Sequence, residues 1–122
     1  MKILQIEPGH KPEVKDIAPG LVAMQDIVGG TIQALFPFED PVALVCKDEG
    51  KLLGLPFNRA LRDGEGKAYD IMCGTFFLCG APPSSGHFDS LTDGQIETYG
   101  ELFRQPEVFL SINGQIVVLP CE

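Results

Sequence analysis

The sequence predicts a single α+β domain in which a mostly antiparallel sheet of about five to seven strands is covered by two helices. Three observations lead there. Clusters of Gly, Pro, Asn and Asp recur at short intervals, which favours hairpins over parallel crossovers. Two segments carry apolar residues at helical spacing. The remaining apolar runs are rich in β-branched and aromatic residues. A chain of 122 residues has the length of one domain and can bury a core without disulfides or a structural metal. Its 44% apolar and 21% charged residues set it apart from disordered chains.

The opening KILQIE alternates as a strand does, PGHKP turns the chain, and EVKDI runs back beside it as a first hairpin. In Gly20 to Gly30, GLVAMQDIVGG, the residues Leu21, Met24, Ile27 and Val28 fall at helical spacing. Pro19 suits the first turn of that helix, and Gly29-Gly30 suits its end. TIQALF reads as a strand ending at Pro37, and PVALVC as a strand buried on both faces. KLLGLP is a short extended piece, and NRALR after it contains enough helix formers for one helical turn. YDIMCGTFFLCG is the longest apolar run and reads as the central strand, with Gly74 marking a bulge or a close backbone approach. APPSSGHFDS is a loop. Ser90 or Thr92 caps a second helix, TDGQIETYGELFRQ, with Ile96, Tyr99, Leu102 and Phe103 on one face and Pro106 at its end. Beyond it, VFLSI-NG-QIVVL is a hairpin closed by a two-residue type I′ turn.

A net charge of −8 and a pI near 4.6 exclude a protein that grips nucleic acid by its phosphates, since that requires a basic footprint. Direct nucleic-acid binding is therefore not expected. No apolar run reaches the ~18 residues of a membrane span, and MKILQIEPGH lacks a signal-peptide core, so a cytoplasmic protein with no membrane partner is expected. Cys46, Cys73, Cys79 and Cys121 show no Cys-x-x-Cys spacing and read as reduced thiols. No motif calls for a metal or a cofactor.

The search for chemistry therefore falls on GLPFNRALRDGEGKAY, which holds two of the three arginines of this acidic chain. Asn58, Arg59, Arg62 and Asp63 end one extended piece, and Tyr69 and Asp70 open the next. One helical turn would set Arg59 beside Arg62 and Asp63. The planar guanidinium fork suits a carboxylate or phosphate, so these six residues are the candidate ligand-binding set. The competing reading is that the arginines pair with Asp63, Asp70, Glu39 or Asp40 and tie loops together. A guanidinium left without a carboxylate beside a cavity would be a ligand clamp; two paired ones would be architecture. Gly29-Gly30-Thr31 lacks the spacing of a phosphate loop and reads as a helix stop. His10 and His87 sit in loops outside any catalytic motif, and a pairing of His87 with Ser84, Ser85 or Cys79 has no supporting third group. The acids of Glu39-Asp40, Asp48-Glu49 and Asp63-x-Glu65 fall on turns, where carboxylates solubilise. No catalytic residue is assigned.

The order IVGGTIQALFPFEDPVALVCKDEGKLLGLPFNRALRD, then YDIMCGTFFLCG, then FDSLTDGQIETYGELF resembles a family of small proteins known as a domain of unknown function, family 3846. The resemblance covers roughly residues 1 to 104 and leaves the hairpin of residues 105 to 122 outside. GLP-x-NRALRD and YDI-x-x-GTFF are its most specific blocks. It implies an accessory protein of a phage or conjugative element, acting in the cytoplasm of a bacterial host. It transfers no catalytic residues; Asn58, Arg59, Arg62, Asp63 and Asp70 are the polar positions it carries over.

Together these readings favour a non-enzymatic binding protein that captures a small anionic or nucleotide-like ligand, as a counter-defence sponge would. Arg59 and Arg62 would bind charge, and Tyr69 or Phe57 would offer a ring for stacking. The alternative is an acidic protein-interaction or antirestriction-like inhibitor whose acidic face occupies a host enzyme, and a third is a small enzyme using Cys79 or His87. Exposed sheet edges also point to a homodimer.

Overall fold

A computed structural model describes residues 1–121. In chain order the strands are β1 (Lys2–Ile6), β2 (Glu13–Asp16), β3 (Ile32–Leu35), β4 (Val42–Lys47), β5 (Phe57–Arg62), β6 (Ala68–Cys73), β7 (Phe76–Gly80), β8 (Glu107–Ile112) and β9 (Gln115–Pro120). Helix α1 (Leu21–Val28) follows β2, and helix α2 (Asp93–Leu102) follows β7. Five strands form one sheet in the order β2-β1-β7-β4-β3, with every neighbouring pair antiparallel. The remaining four form two separate ribbons, β5-β6 and β8-β9.

The sheet is buried on both faces, and the period of two in a strand divides its residues between them. Val42, Leu44 and Cys46 of β4 join one core with Leu4, Ile6, Phe76, Leu78, Leu61, Met72, Tyr99 and Phe103. Ala43 and Val45 join the other with Ile3, Phe77 and Cys79, beneath Met24, Ile27 and Val28 of α1. The continuous apolar run PVALVC is the signature of this double burial, as its sequence suggests. Thus α1 covers one face, while α2 and the β5-β6 ribbon cover the other.

Each helix end has a local cause. Gly29 adopts the left-handed conformation (φ 87°) and donates its N–H to the Gln25 carbonyl, which closes α1. The helix begins at Leu21 behind Gly20, so Pro19 precedes it and does not occupy its first turn. Thr92, not Ser90, caps α2: Gln95 N donates to Thr92 Oγ1 at 3.1 Å and Thr92 N donates to Gln95 Oε1 at 3.0 Å. Tyr99 and Phe103 are buried and Ile96 partly so, but Leu102 points to solvent.

Two further local expectations are corrected. NRALR is a strand, β5, and not a helical turn, because β6 pairs with it across the Asp63–Lys67 turn and this tertiary pairing overrides a weak helical preference. The run YDIMCGTFFLCG is two strands. It breaks at Gly74, whose φ of 76° turns the chain out of the ribbon (β6) and into the centre of the sheet (β7). A uniform apolar pattern does not reveal such a transfer between sheets. Gly74 also makes the expected close approach, since a Cβ there would stand 2.8 Å from Leu55 Cδ1. The C-terminal hairpin forms as expected, with Asn113 (φ 51°) and Gly114 (φ 78°) both left-handed as a type I′ turn requires. Among the described residues, no helix is long and apolar enough to cross a membrane.

Candidate functional site

The β5-β6 ribbon is irregular, and the irregularities aim its side chains. Phe57 pairs with Cys73 and Arg59 with Met72, so Asn58 is the extra residue of one bulge. Leu61 pairs with Asp70 and Arg62 with Ala68, so Tyr69 is the extra residue of a second. A bulge breaks the alternation of a strand and turns successive residues to the same side. Asn58 and Arg59 are accordingly both buried, at 0% and 1% exposure.

Where the ribbon meets the C-terminal end of α2 and the start of β8, a cleft of about 480 Å³ opens. Its walls include Arg59, Arg62, Tyr69, Phe38, Phe103 and Arg104, with Glu101 and Glu107 among them. All three arginines of the chain therefore border one cavity, Arg59 from beneath its surface at 1% exposure. Among the described residues, three guanidiniums against two carboxylates leave one positive charge around the cleft of a chain whose net charge is −8. A local inversion of sign of this kind is what an anion site requires.

The three cations differ in how far they are engaged. Arg59 donates to neutral acceptors: the Phe103 carbonyl from Nε and Nη2 (3.3 and 3.2 Å), the Asn58 carbonyl and Oδ1 from Nη1 (3.3 and 2.9 Å), and the His10 carbonyl from Nη2. Burial lowers its pKa from the ordinary arginine value, while the charge of Glu107 acts in the opposite direction. The Phe103 carbonyl lies at the C-terminal end of α2, where the helix dipole is negative, so the buried cation caps the helix. Arg62 pairs with Glu107, with Nη2 2.7 Å from Oε2 and Nη1 3.4 Å from Oε1. Arg104 is the least engaged: it is mostly exposed, and its contact with the Glu101 carboxylate is 3.9 Å.

The sequence-derived candidates thus separate. Arg59, Arg62 and Tyr69 line the cleft, with Tyr69 58% exposed. Asn58 lies inside the protein, where its Nδ2 donates to the carbonyls of Ile6 and Gly74, each at 2.8 Å. Asp63 closes the turn between the strands, accepting from the amides of Glu65 and Lys67 at 2.9 and 3.0 Å. Asp70 pairs with Lys51 and borders a different hollow of about 200 Å³. Sequence reasoning missed Arg104, Glu107, Phe38 and Phe103. The one available signal was that Arg104 is the third arginine of a chain with so few, placed where a helix favours a cation.

The other candidates remain apart from the cleft. Cys46, Cys73 and Cys79 are buried free thiols and Cys121 is an exposed one. Burial pushes Cys79 up to about 12 and, with Asp48 and Asp70, Cys46 up to about 11, so both are protonated and inert near neutrality. His87 Nδ1 lies 3.1 Å from Ser85 Oγ in an exposed loop. Among the described residues there is no cluster of His, Cys, Asp and Glu suited to a metal ion.

No curated protein and no solved structure matches this chain. The family described as "Domain of unknown function (DUF3846)" matches residues 1–104, a span that runs from β1 through α2 and takes in all three arginines while leaving out Glu107 and the β8-β9 ribbon. On that match the chain belongs to the DUF3846 family.

Proposed function

We propose that this chain is a non-enzymatic binding protein that holds a small anionic, nucleotide-like ligand in the arginine-lined cleft. It would act as an accessory protein of a mobile genetic element, a counter-defence sponge in the cytoplasm of a bacterial host. The observation that carries the reading is the convergence of every arginine on one cavity of an otherwise acidic molecule. A volume of about 480 Å³ falls in the range of small-molecule sites. Arg104 and Arg62 supply donors for a phosphate or carboxylate, Arg59 adds charge from behind, and the exposed Tyr69 ring offers a face on which a base can stack.

Protein purified from bacterial host extract, then denatured and analysed by mass spectrometry, is expected to release an enriched anionic metabolite. Calorimetry with that metabolite is expected to show Arg104→Ala binding roughly tenfold more weakly with an unchanged melting temperature. A wild-type protein that enriches nothing, and an Arg104→Ala protein that binds as the wild type does, would each count decisively against capture in this cleft.

A further inference from the structure

We propose that Glu107 is an internal occupant of an oxyanion subsite in this cleft, and that an external oxyanion enters by displacing it and releasing the β8-β9 ribbon. The inference rests on the cleft being a ligand site and adds where the charged group sits and what moves when it arrives.

Three N–H groups converge on the Glu107 carboxylate. Oε1 accepts from the backbone amide of Ala60 at 2.9 Å and from Arg62 Nη1 at 3.4 Å, and Oε2 accepts from Arg62 Nη2 at 2.7 Å. A guanidinium fork joined by a peptide N–H is a receptor for a group with two acceptor oxygens, whether carboxylate or phosphoryl. The Glu107 side chain is only 9% exposed although its partner Arg62 is 41% exposed, so the carboxylate is seated within the receptor while the cation still reaches the open cleft. Behind it, Arg59 has only neutral acceptors among the described residues, and a second anion arriving beside Glu107 would meet like charge.

Glu107 is also the first residue of β8, just beyond the family-matched residues 1–104. The ribbon it opens is a sheet of its own, and a two-stranded ribbon is marginal by itself. Its ties to β5 include the Glu107 contacts and the packing of Phe109 on Phe57, with ring centroids 5.3 Å apart. A ligand that takes the Arg62 fork and the Ala60 amide removes the polar tie. By linkage, ribbon docking weakens ligand binding by the same factor that ligand binding weakens docking.

The test uses the full chain and its Glu107→Gln variant, titrated with inorganic pyrophosphate and, separately, with succinate, while hydrogen exchange is followed at the amides of residues 107–120. The expected result is at least about fivefold tighter binding of one of these probes by Glu107→Gln, together with faster ribbon exchange in the wild type on saturation; whichever probe gains more identifies the subsite as phosphoryl or carboxylate. Wild-type binding with unchanged ribbon exchange overturns displacement and leaves the cleft reading intact, even if the variant binds more tightly, because that gain is then repulsion alone. Binding by the variant but not by the wild type supports the internal occupant while removing capture as the wild-type activity. Binding by neither protein overturns the oxyanion subsite, while capture in the cleft then stands or falls with the metabolite that the purified wild type releases.

Discussion

Substituting Asn58 by alanine separates architecture from ligand contact most sharply, because this fully buried amide makes three hydrogen bonds and none to solvent-facing groups. Its Nδ2 joins the end of β1, through the Ile6 carbonyl, to the Gly74 turn, and its Oδ1 accepts from Arg59 Nη1. The variant strips a donor from two carbonyls and an acceptor from a buried guanidinium. At roughly 1–2 kcal/mol for each buried bond lost, with the charged one at the upper end, the expected loss is about 4–6 kcal/mol. That is a large share of the ~5–15 kcal/mol by which a domain of this size is stable. Urea unfolding followed by circular dichroism measures it as a lower midpoint at constant slope. A loss below about 1 kcal/mol with an unchanged slope would refute the assignment of Asn58 as the pin between ribbon and sheet.

The remaining predictions concern the frame around the cleft. Gly80→Ala would place a Cβ 2.7 Å from the Ser90 carbonyl oxygen and 3.1 Å from that of Asp89, forcing apart the two backbone hydrogen bonds between Gly80 and Asp89 (2.7 and 2.8 Å); a loss of about 2 kcal/mol or more is expected in thermal unfolding. Stability should also fall with alkali. Burial foremost raises Cys79 from 9.0 to about 12, Cys46 from 9.0 to about 11 and Tyr99 from 10.0 to about 12, so the unfolded chain gives up these protons first. Their contribution is complete below about pH 9 and is lost as pH rises through about 11 to 12. Melting temperatures measured from about pH 8 upward should decline across that window, and Cys79→Ala should decline less steeply; a flat profile would show that these groups do not titrate differently on folding.

Much of the fold was legible because it follows from local rules. Asn-Gly forces the type I′ turn of the last hairpin, Thr92 and Gln95 form a reciprocal cap, and an uninterrupted apolar run marks β4 as buried on both faces. The misreadings lie where a local preference had to yield. NRALR prefers a helix slightly, yet its pairing with β6 decides. The apolar run around Gly74 looks uniform although it passes from one sheet to another.

Composition, local patterning and segment order suffice to identify an acidic α+β chain of the DUF3846 family with two arginines close together near its middle. The sequence named both Arg59 and Arg62, and its condition for a ligand clamp, a guanidinium without a carboxylate beside a cavity, is met by Arg59 only in part. That side chain lines the cleft, but neutral acceptors already engage its donors. Tertiary structure alone brought Arg104 to the same cavity and seated Glu107 against Arg62, across 45 residues of chain. The physical reason is that hydrogen-bond partners in a strand ribbon and at a helix end are chosen by packing, and no spacing rule within the chain encodes contacts between elements so far apart.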